Sequence, residues 1–243
     1  MHNRFFLITG TSRGIGEALA KKVLREGHTV LGVARKRSDA LISANYFHLS
    51  YDLADTTHVD QIMLKLDEIL DKHSFDFVCL VNNASSSEPG GVIEKCAAYD
   101  IDSHVKIGLI APMILTSMFI QKFKDDQIGK KVVFISSGAA FDAYAEDSIY
   151  CATKAGLHMF AQCVGLEQKN RQHGFELISI GPGMVDTYMQ QVARSKTAAE
   201  YSMAVYLKKA YEDGLLAKPD DVAEKIFTIL GITYEQGNYV GVS

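Results

Sequence analysis

The chain has 243 residues, 47% of them hydrophobic and 22% charged, with a formal net charge of -4 and a mean hydropathy of +0.02. That profile belongs to a soluble globular protein with length for one large domain or two small ones. Basic residues are spread along the chain, so neither nucleic acid nor a membrane is expected as a partner.

From the N-terminus, residues 1–9 run directly into a strand pattern, without the apolar region and small-residue cleavage site of a signal peptide. No apolar run approaches the roughly 18 residues of a membrane span. The spacing predicts strands at 4–8, 29–34, 46–49, 77–81, 131–135 and 175–180, with a short last one at 238–242. Helical periodicity covers 15–26, 57–72, 99–123, 148–170 and 219–230. Apolar strands alternating with helices predict one doubly wound α/β domain over 1–243, its seven-stranded, mostly parallel sheet covered by helices on both faces. Residues 184–216 lack a strand and lean to helix, which makes them the expected mobile segment over a site. Cys79, Cys96, Cys151 and Cys163 show no metal-ligand spacing, so no metal is expected and reduced thiols in a cytoplasmic protein are.

Between the first strand and first helix stands Thr-Gly-Thr-Ser-Arg-Gly-Ile-Gly at 9–16. Gly10, Gly14 and Gly16 allow a tight turn and close approach of backbone to a pyrophosphate at the helix N-terminus. A bare structural turn, or the nucleotide of a methyltransferase, would use the same glycines. For NAD, an acid is expected about 20 residues further on, to accept from the ribose 2′-hydroxyl. At that place stand Ala34-Arg35-Lys36-Arg37, the nearest acid being Asp39. Arg35, with Arg13 of the glycine turn, suits a 2′-phosphate instead, so the expected cofactor is NADP(H).

Later come Ser136 and Ser137 at a strand end, then Tyr150 and Lys154 four residues apart on one helix face. An ammonium beside the phenol favours the phenolate and lowers a pKa that is normally about 10, as a general acid or base needs. Ser137 is positioned to hydrogen-bond a carbonyl oxygen, with Ser136 as its near alternative. Ala139, Ala140, Phe141, Tyr144, Met184, Tyr188 and Met189 form either an apolar substrate pocket or core.

With these residues in order the chain resembles the short-chain dehydrogenase/reductase family over nearly its whole length. The matching pieces are the 9–16 turn, Asp52-Leu53, Asn82-Asn83-Ala84, Ser137 thirteen residues before Tyr150, Tyr150-x-x-x-Lys154, and Pro182-Gly183-Met184-Val185-Asp186-Thr187. The stretches at 137–140, 150–157 and 182–190 are similar to the sepiapterin reductase and benzil reductase branch, whose members reduce one carbonyl of a 1,2-diketone. The resemblance implies a Rossmann-type fold, with Gly10, Ser12, Arg13, Gly14, Ile15 and Gly16 around the pyrophosphate. It implies Asp52 and Leu53 at the adenine, Asn83 and Ala84 along the adenosine, and Pro182, Gly183, Val185 and Thr187 at the nicotinamide. It also implies Lys154 on the nicotinamide ribose and a homodimer or homotetramer, with Phe119 and Phe160 as candidate interface residues.

Two positions depart from the pattern. Ser85 replaces a usual glycine, and Gly108 falls where the family has a catalytic asparagine behind the lysine. His104, one turn earlier, is expected at the helix surface or an interface, or else as a partial substitute for that asparagine. The implied function is an NADPH-dependent carbonyl reductase acting on a ketone or 1,2-diketone through Ser137, Tyr150 and Lys154. The rivals are a weak or inactive NADP-binding sensor or scaffold, and an alcohol dehydrogenase working oxidatively.

Overall fold

A computed structural model describes residues 3–242. Its centre is a seven-stranded sheet in the order β3-β2-β1-β4-β5-β6-β7. The strands are β1 (Arg4–Thr9), β2 (Thr29–Ala34), β3 (Tyr46–Ser50), β4 (Phe77–Asn82), β5 (Gly129–Ile135), β6 (Glu176–Gly181) and β7 (Asn238–Gly241). Every neighbouring pair is parallel, so the "mostly" of the sequence expectation becomes all. The chain moves outward from β1 to β2 and β3, then returns to place β4 on the other side of β1. That reversal opens a crevice beyond the carboxyl ends of β1 and β4.

Side-chain alternation along β1 divides the core. Phe5 and Leu7 face one layer with Val78 and Leu80, where α2 (Asp60–Leu70), α4 (Ala111–Phe123) and α5 (Ser148–Lys169) bring Ile62, Leu66, Leu115, Phe119 and Leu157. Phe6 and Ile8 face the other layer, covered by α1 (Gly14–Arg25) and α8 (Pro219–Leu230) through Leu19, Val23, Val222 and Ile226. Burial of each such side chain contributes about 1.5–3 kcal/mol. Helix α1 stops at Gly27, whose φ of 81° permits the closing bonds Gly27 N to Leu24 O and His28 N to Val23 O.

The predicted 57–72 helix starts later, at Asp60, because the Asp55 side chain caps Thr57 N at 3.0 Å and holds a turn there. The predicted 99–123 helix is α3 (Ala98–Val105), a π-helical turn (Lys106–Ile110) and α4. Ala98–Phe123 is 26 residues long and contains an 18-residue stretch of mean hydropathy 1.5, enough to cross a membrane by length and composition only. Its side chains Leu115, Phe119 and Phe123 lie in the core against the sheet. Phe119 is therefore core rather than an interface residue. Residues 184–216 contain two helices, α6 (Tyr188–Ser195) and α7 (Ala204–Glu212), tied to the chain after α7 by a bridge between Val185 and Ala217.

Strand β5 begins two residues before its predicted start, with Lys130 and Lys131 inside it and nearly fully buried. Lys130 Nζ donates to Phe123 O (3.0 Å) and Asp126 O (2.7 Å), at the end of α4. Lys131 Nζ donates to Leu230 O (3.2 Å) and Ile232 O (2.7 Å), at the end of α8, and pairs with Glu176 at 3.2 Å. Each ammonium satisfies carbonyls that a helix C-terminus leaves open.

Candidate functional site

The glycine turn is held by the end of β4. Asn83 N and Ala84 N both donate to Thr9 Oγ1 at 3.0 Å, and Asn83 Nδ2 donates to Thr9 O at 2.9 Å. The Asn83 amide, expected along an adenosine, is thus used inside the protein. Gly10 and Gly14 have φ of 76° and 64°. A Cβ on Gly10 would stand 2.9 Å from Asn83 Nδ2, and one on Gly16 would collide with the Gly10 carbonyl oxygen. The first turn of α1 follows Arg13, whose side chain does not cap it. Its N–H groups, with Ser12 and Ile15 beside them, therefore face the crevice, and this bare-backbone cradle fits a pyrophosphate. Ser85 Oγ is buried there without a partner, among the described residues.

The two arginines near the end of β2 have different partners. Arg13 stacks on the Tyr188 ring, 3.9 Å from its centroid, while Arg35 stands exposed, 3.9 Å from Asp52 Oδ2. Leu53, expected at an adenine, is buried in the core. Thr187 lies across the crevice from the glycine turn: its Cγ2 is 3.4 Å from where a Gly14 Cβ would stand, and its hydroxyl caps α6 at Gln190 N. Gly183, after Pro182, needs its φ of 72° to bring the chain round to Val185, which is buried.

Ser137, Tyr150 and Lys154 converge at the carboxyl end of β5. Ser136 is buried, its N–H bonded to Ile180 O at 2.7 Å, whereas Ser137 opens a short 3-10 turn, its Oγ accepting from Ala139 N at 3.2 Å, and lies near enough to the Tyr150 phenol to affect its titration. Of the two serines, Ser137 is the one facing the tyrosine. Lys154 is buried; its Nζ donates to Ile135 O at 2.8 Å and lies 5.5 Å from the Tyr150 ring centroid. Burial pushes the lysine down to about 8. The phenol moves opposite to the expected direction. Burial pushes Tyr150 up to about 12, the neighbouring Ser137 opposes the rise, and Asp147 adds to it. A phenol that stays protonated at neutral pH suits a proton donor.

His104 is the residue that sequence reasoning left mostly at the surface. It is 1% exposed, and its imidazole meets the Tyr150 ring edge-on at 6.2 Å and 87°. Its Nδ1 is 2.9 Å from Glu88 O, and its Nε2 is 3.4 Å from Thr153 Oγ1. Gly108 sits in the π-helical turn, and a Cβ there would touch Thr153 at 3.4 Å. The only sequence signal was the position of His104 one turn before that glycine.

The 184–216 segment is pinned over this end of the sheet. Tyr201 donates to Asp147 Oδ2 at 2.6 Å, Ser202 N to Glu146 Oε2 at 2.6 Å, and Lys196 pairs with Glu88 at 3.4 Å. Phe141, expected to line a substrate pocket, packs against His158 and Tyr239, with both ring separations 4.8 Å.

Comparison with known proteins gives three consistent findings. A family model described as short chain dehydrogenase matches residues 4–198. The chain is 34% identical over 233 residues to a benzil reductase ((S)-benzoin forming) of Bacillus cereus, covering 93% of this chain and 94% of that one. It is 26% identical to the sepiapterin reductase of Bos taurus, covering 96% and 92%. Among solved structures, the KRED1-Pglu enzyme superposes with a TM-score of 0.84 at 22% identity, over 98% of this chain and 100% of that one.

Proposed function

The chain belongs to the short chain dehydrogenase family, and we propose that within it the protein is an NADPH-dependent carbonyl reductase acting on a ketone or 1,2-diketone. One observation carries this reading: Ser137, at the carboxyl end of β5, is near enough to the Tyr150 phenol to favour its ionised form, with Lys154 one turn further along α5. The benzil reductase name of the Bacillus cereus relative points to the diketone class.

A nicotinamide dinucleotide held in this crevice would supply the hydride for the carbonyl carbon. The protein supplies the rest. Gly10, Ser12, Gly14, Ile15 and Gly16 would hold the pyrophosphate, with Asp52, the backbone at Leu53, and Ala84 towards the adenosine and Pro182, Gly183, Val185 and Thr187 towards the nicotinamide. Arg13 and Arg35 favour a 2′-phosphate, since β2 ends without a carboxylate. A substrate oxygen placed between Ser137 and Tyr150 accepts from both hydroxyls. As negative charge grows on that oxygen the Tyr150 proton moves onto it, and Ser137 keeps its hydrogen bond throughout. The Lys154 ammonium, in a site screened from water, stabilises the phenolate left behind.

Residues 184–216 open and close over this chemistry through the polar pins at Asp147 and Glu146. The protein works as a homodimer or homotetramer, and Met159 and Leu166, apolar and exposed on α5, suit such a contact.

The test is NADPH oxidation with benzil and a small panel of diketones, quinones and pterins. Wild-type protein is expected to consume NADPH with at least one diketone, and Tyr150→Phe to lose at least about 10²-fold, as removal of a positioned proton donor does. Turnover in Tyr150→Phe near the wild-type rate refutes the assignment. Consumption of NADP with alcohols only would favour the oxidative direction.

A further inference from the structure

We propose that His104 is a positioning residue for Tyr150: a neutral imidazole that braces the phenol against Ser137 and ties it to the loop beneath the 184–216 segment. The inference rests on the reading of Tyr150 as proton donor.

Three contacts define it. A carbonyl oxygen only accepts, so the 2.9 Å bond to Glu88 O requires a proton on Nδ1. In the neutral ring, Nε2 is then an acceptor, and it faces the Thr153 hydroxyl at 3.4 Å. That hydroxyl has one proton, directed to Tyr150 O at 2.9 Å, so Nε2 has only the long, weaker arm of a shared bond, and the imidazole lies against the helical turn that carries the tyrosine. The third contact is the edge-on packing of the two rings, which limits rotation of the phenol away from Ser137.

Position 108 offers no side chain for this purpose, and Thr153 occupies the space beside it. The π-helical turn begins two residues after His104 and re-aims the helix there. Through Glu88 the contact extends further: its backbone holds His104 while its carboxylate pairs with Lys196 of the overlying segment.

The charged and titratable groups facing His104 come from two elements. From α5 and its N-terminus they are Lys154, Tyr150 and Asp147; from the loop after β4, Glu88 contributes its carbonyl. Burial and Lys154 hold the imidazole below its ordinary pKa, against the Glu88 carbonyl and Asp147, and so favour the neutral ring, its proton on the Nδ1 that faces Glu88 O.

The experiment compares His104→Phe, His104→Gln and Tyr150→Phe with wild type, measuring kcat, KM for the carbonyl, Kd for NADPH and the pH profile of kcat. His104→Phe keeps a ring but neither nitrogen; kcat is expected to fall about 10- to 10²-fold, the scale of a small misplacement of a reacting group. Its NADPH Kd should stay within about twofold. His104→Gln keeps a hydrogen-bonding arm without titrating. It should recover most of kcat and lack the acid-side fall that is expected of wild type below the ordinary histidine range of about 6.5. Wild-type kcat in His104→Phe, or an unchanged acid limb in His104→Gln, overturns the proposal. If Tyr150→Phe is dead while His104→Phe turns over like wild type, this inference alone fails. If Tyr150→Phe keeps turnover, the proton-donor reading fails and takes this one with it.

Discussion

The Tyr201 hydroxyl donates to the Asp147 carboxylate across 2.6 Å, joining residues 54 apart in sequence. Asp147 stands at the N-terminus of α5, three residues before Tyr150, and its carboxylate raises the pKa of that phenol. The bond therefore connects the segment above the site to the proposed proton donor, both mechanically and electrostatically.

Removing the donor from that pair should release the segment. In Tyr201→Phe the half-buried Asp147 carboxylate loses its partner, at a cost of about 1–3 kcal/mol. KM for the carbonyl should rise, and limited proteolysis should cut within 184–216 sooner than in wild type. Unchanged cleavage and KM together would show that the pin does not hold the segment.

Discrimination between the two dinucleotides should follow Arg35. Its guanidinium is exposed, with Asp52 as a distant partner, so Arg35→Ala is expected to leave folding within about 0.5 kcal/mol. Isothermal titration should find the Kd for NADPH raised at least about tenfold and that for NADH changed little. Equal changes in both would remove the 2′-phosphate from the account.

Lys154 makes stability and function oppose each other. Burial lowers its folded pKa to about 8 from 10.5, so the unfolded chain holds the extra proton between those values. The cost of burying the ammonium is present in full below about pH 8 and is relieved as pH rises from there towards 10.5. That shift corresponds to about 3 kcal/mol, partly offset by the bond to Ile135 O. Lys154→Met is expected to raise the urea midpoint at pH 7 while abolishing turnover, and its advantage should shrink by pH 10. A destabilised variant at pH 7 would contradict this.

Gly16→Ala tests the cradle. The added methyl would meet both the Gly10 carbonyl and the Asn83 amide, the latter at 2.5 Å. The Gly10 backbone and the Asn83 side chain that holds the turn both have to shift, so NADPH binding should fall below detection by fluorescence titration even where circular dichroism reports a folded chain. Retained affinity would mean that the turn does not hold the dinucleotide.

Local pattern carried the sheet because its central strands β1, β2, β4 and β6 are largely apolar runs buried on both faces, and the glycine turn because its spacing is visible in eight residues. It carried the proximity of Ser137, Tyr150 and Lys154 for the same reason: strand end and helix face fix where they lie. It failed where the answer depends on distant partners. Burial of His104 is decided by Glu88 and Thr153, 16 and 49 residues away. The break in the 99–123 helix arises within an unbroken apolar periodicity, which does not distinguish a π-helical turn from an α-helical one. Tyr150 was expected to titrate low beside its lysine, but sequence spacing is blind to the depth of burial that raises it.

The two lysines at the start of β5 give that strand a role as a tie-rod. Lys130 and Lys131 fasten its far end to the last carbonyls of α4 and α8, while its near end leads into Ser137. Loosening of α8, which carries none of the site residues, therefore acts on the strand that aims the serine. Damage by heat or mutation at the back of the molecule should be felt as misalignment at the front before the fold as a whole gives way.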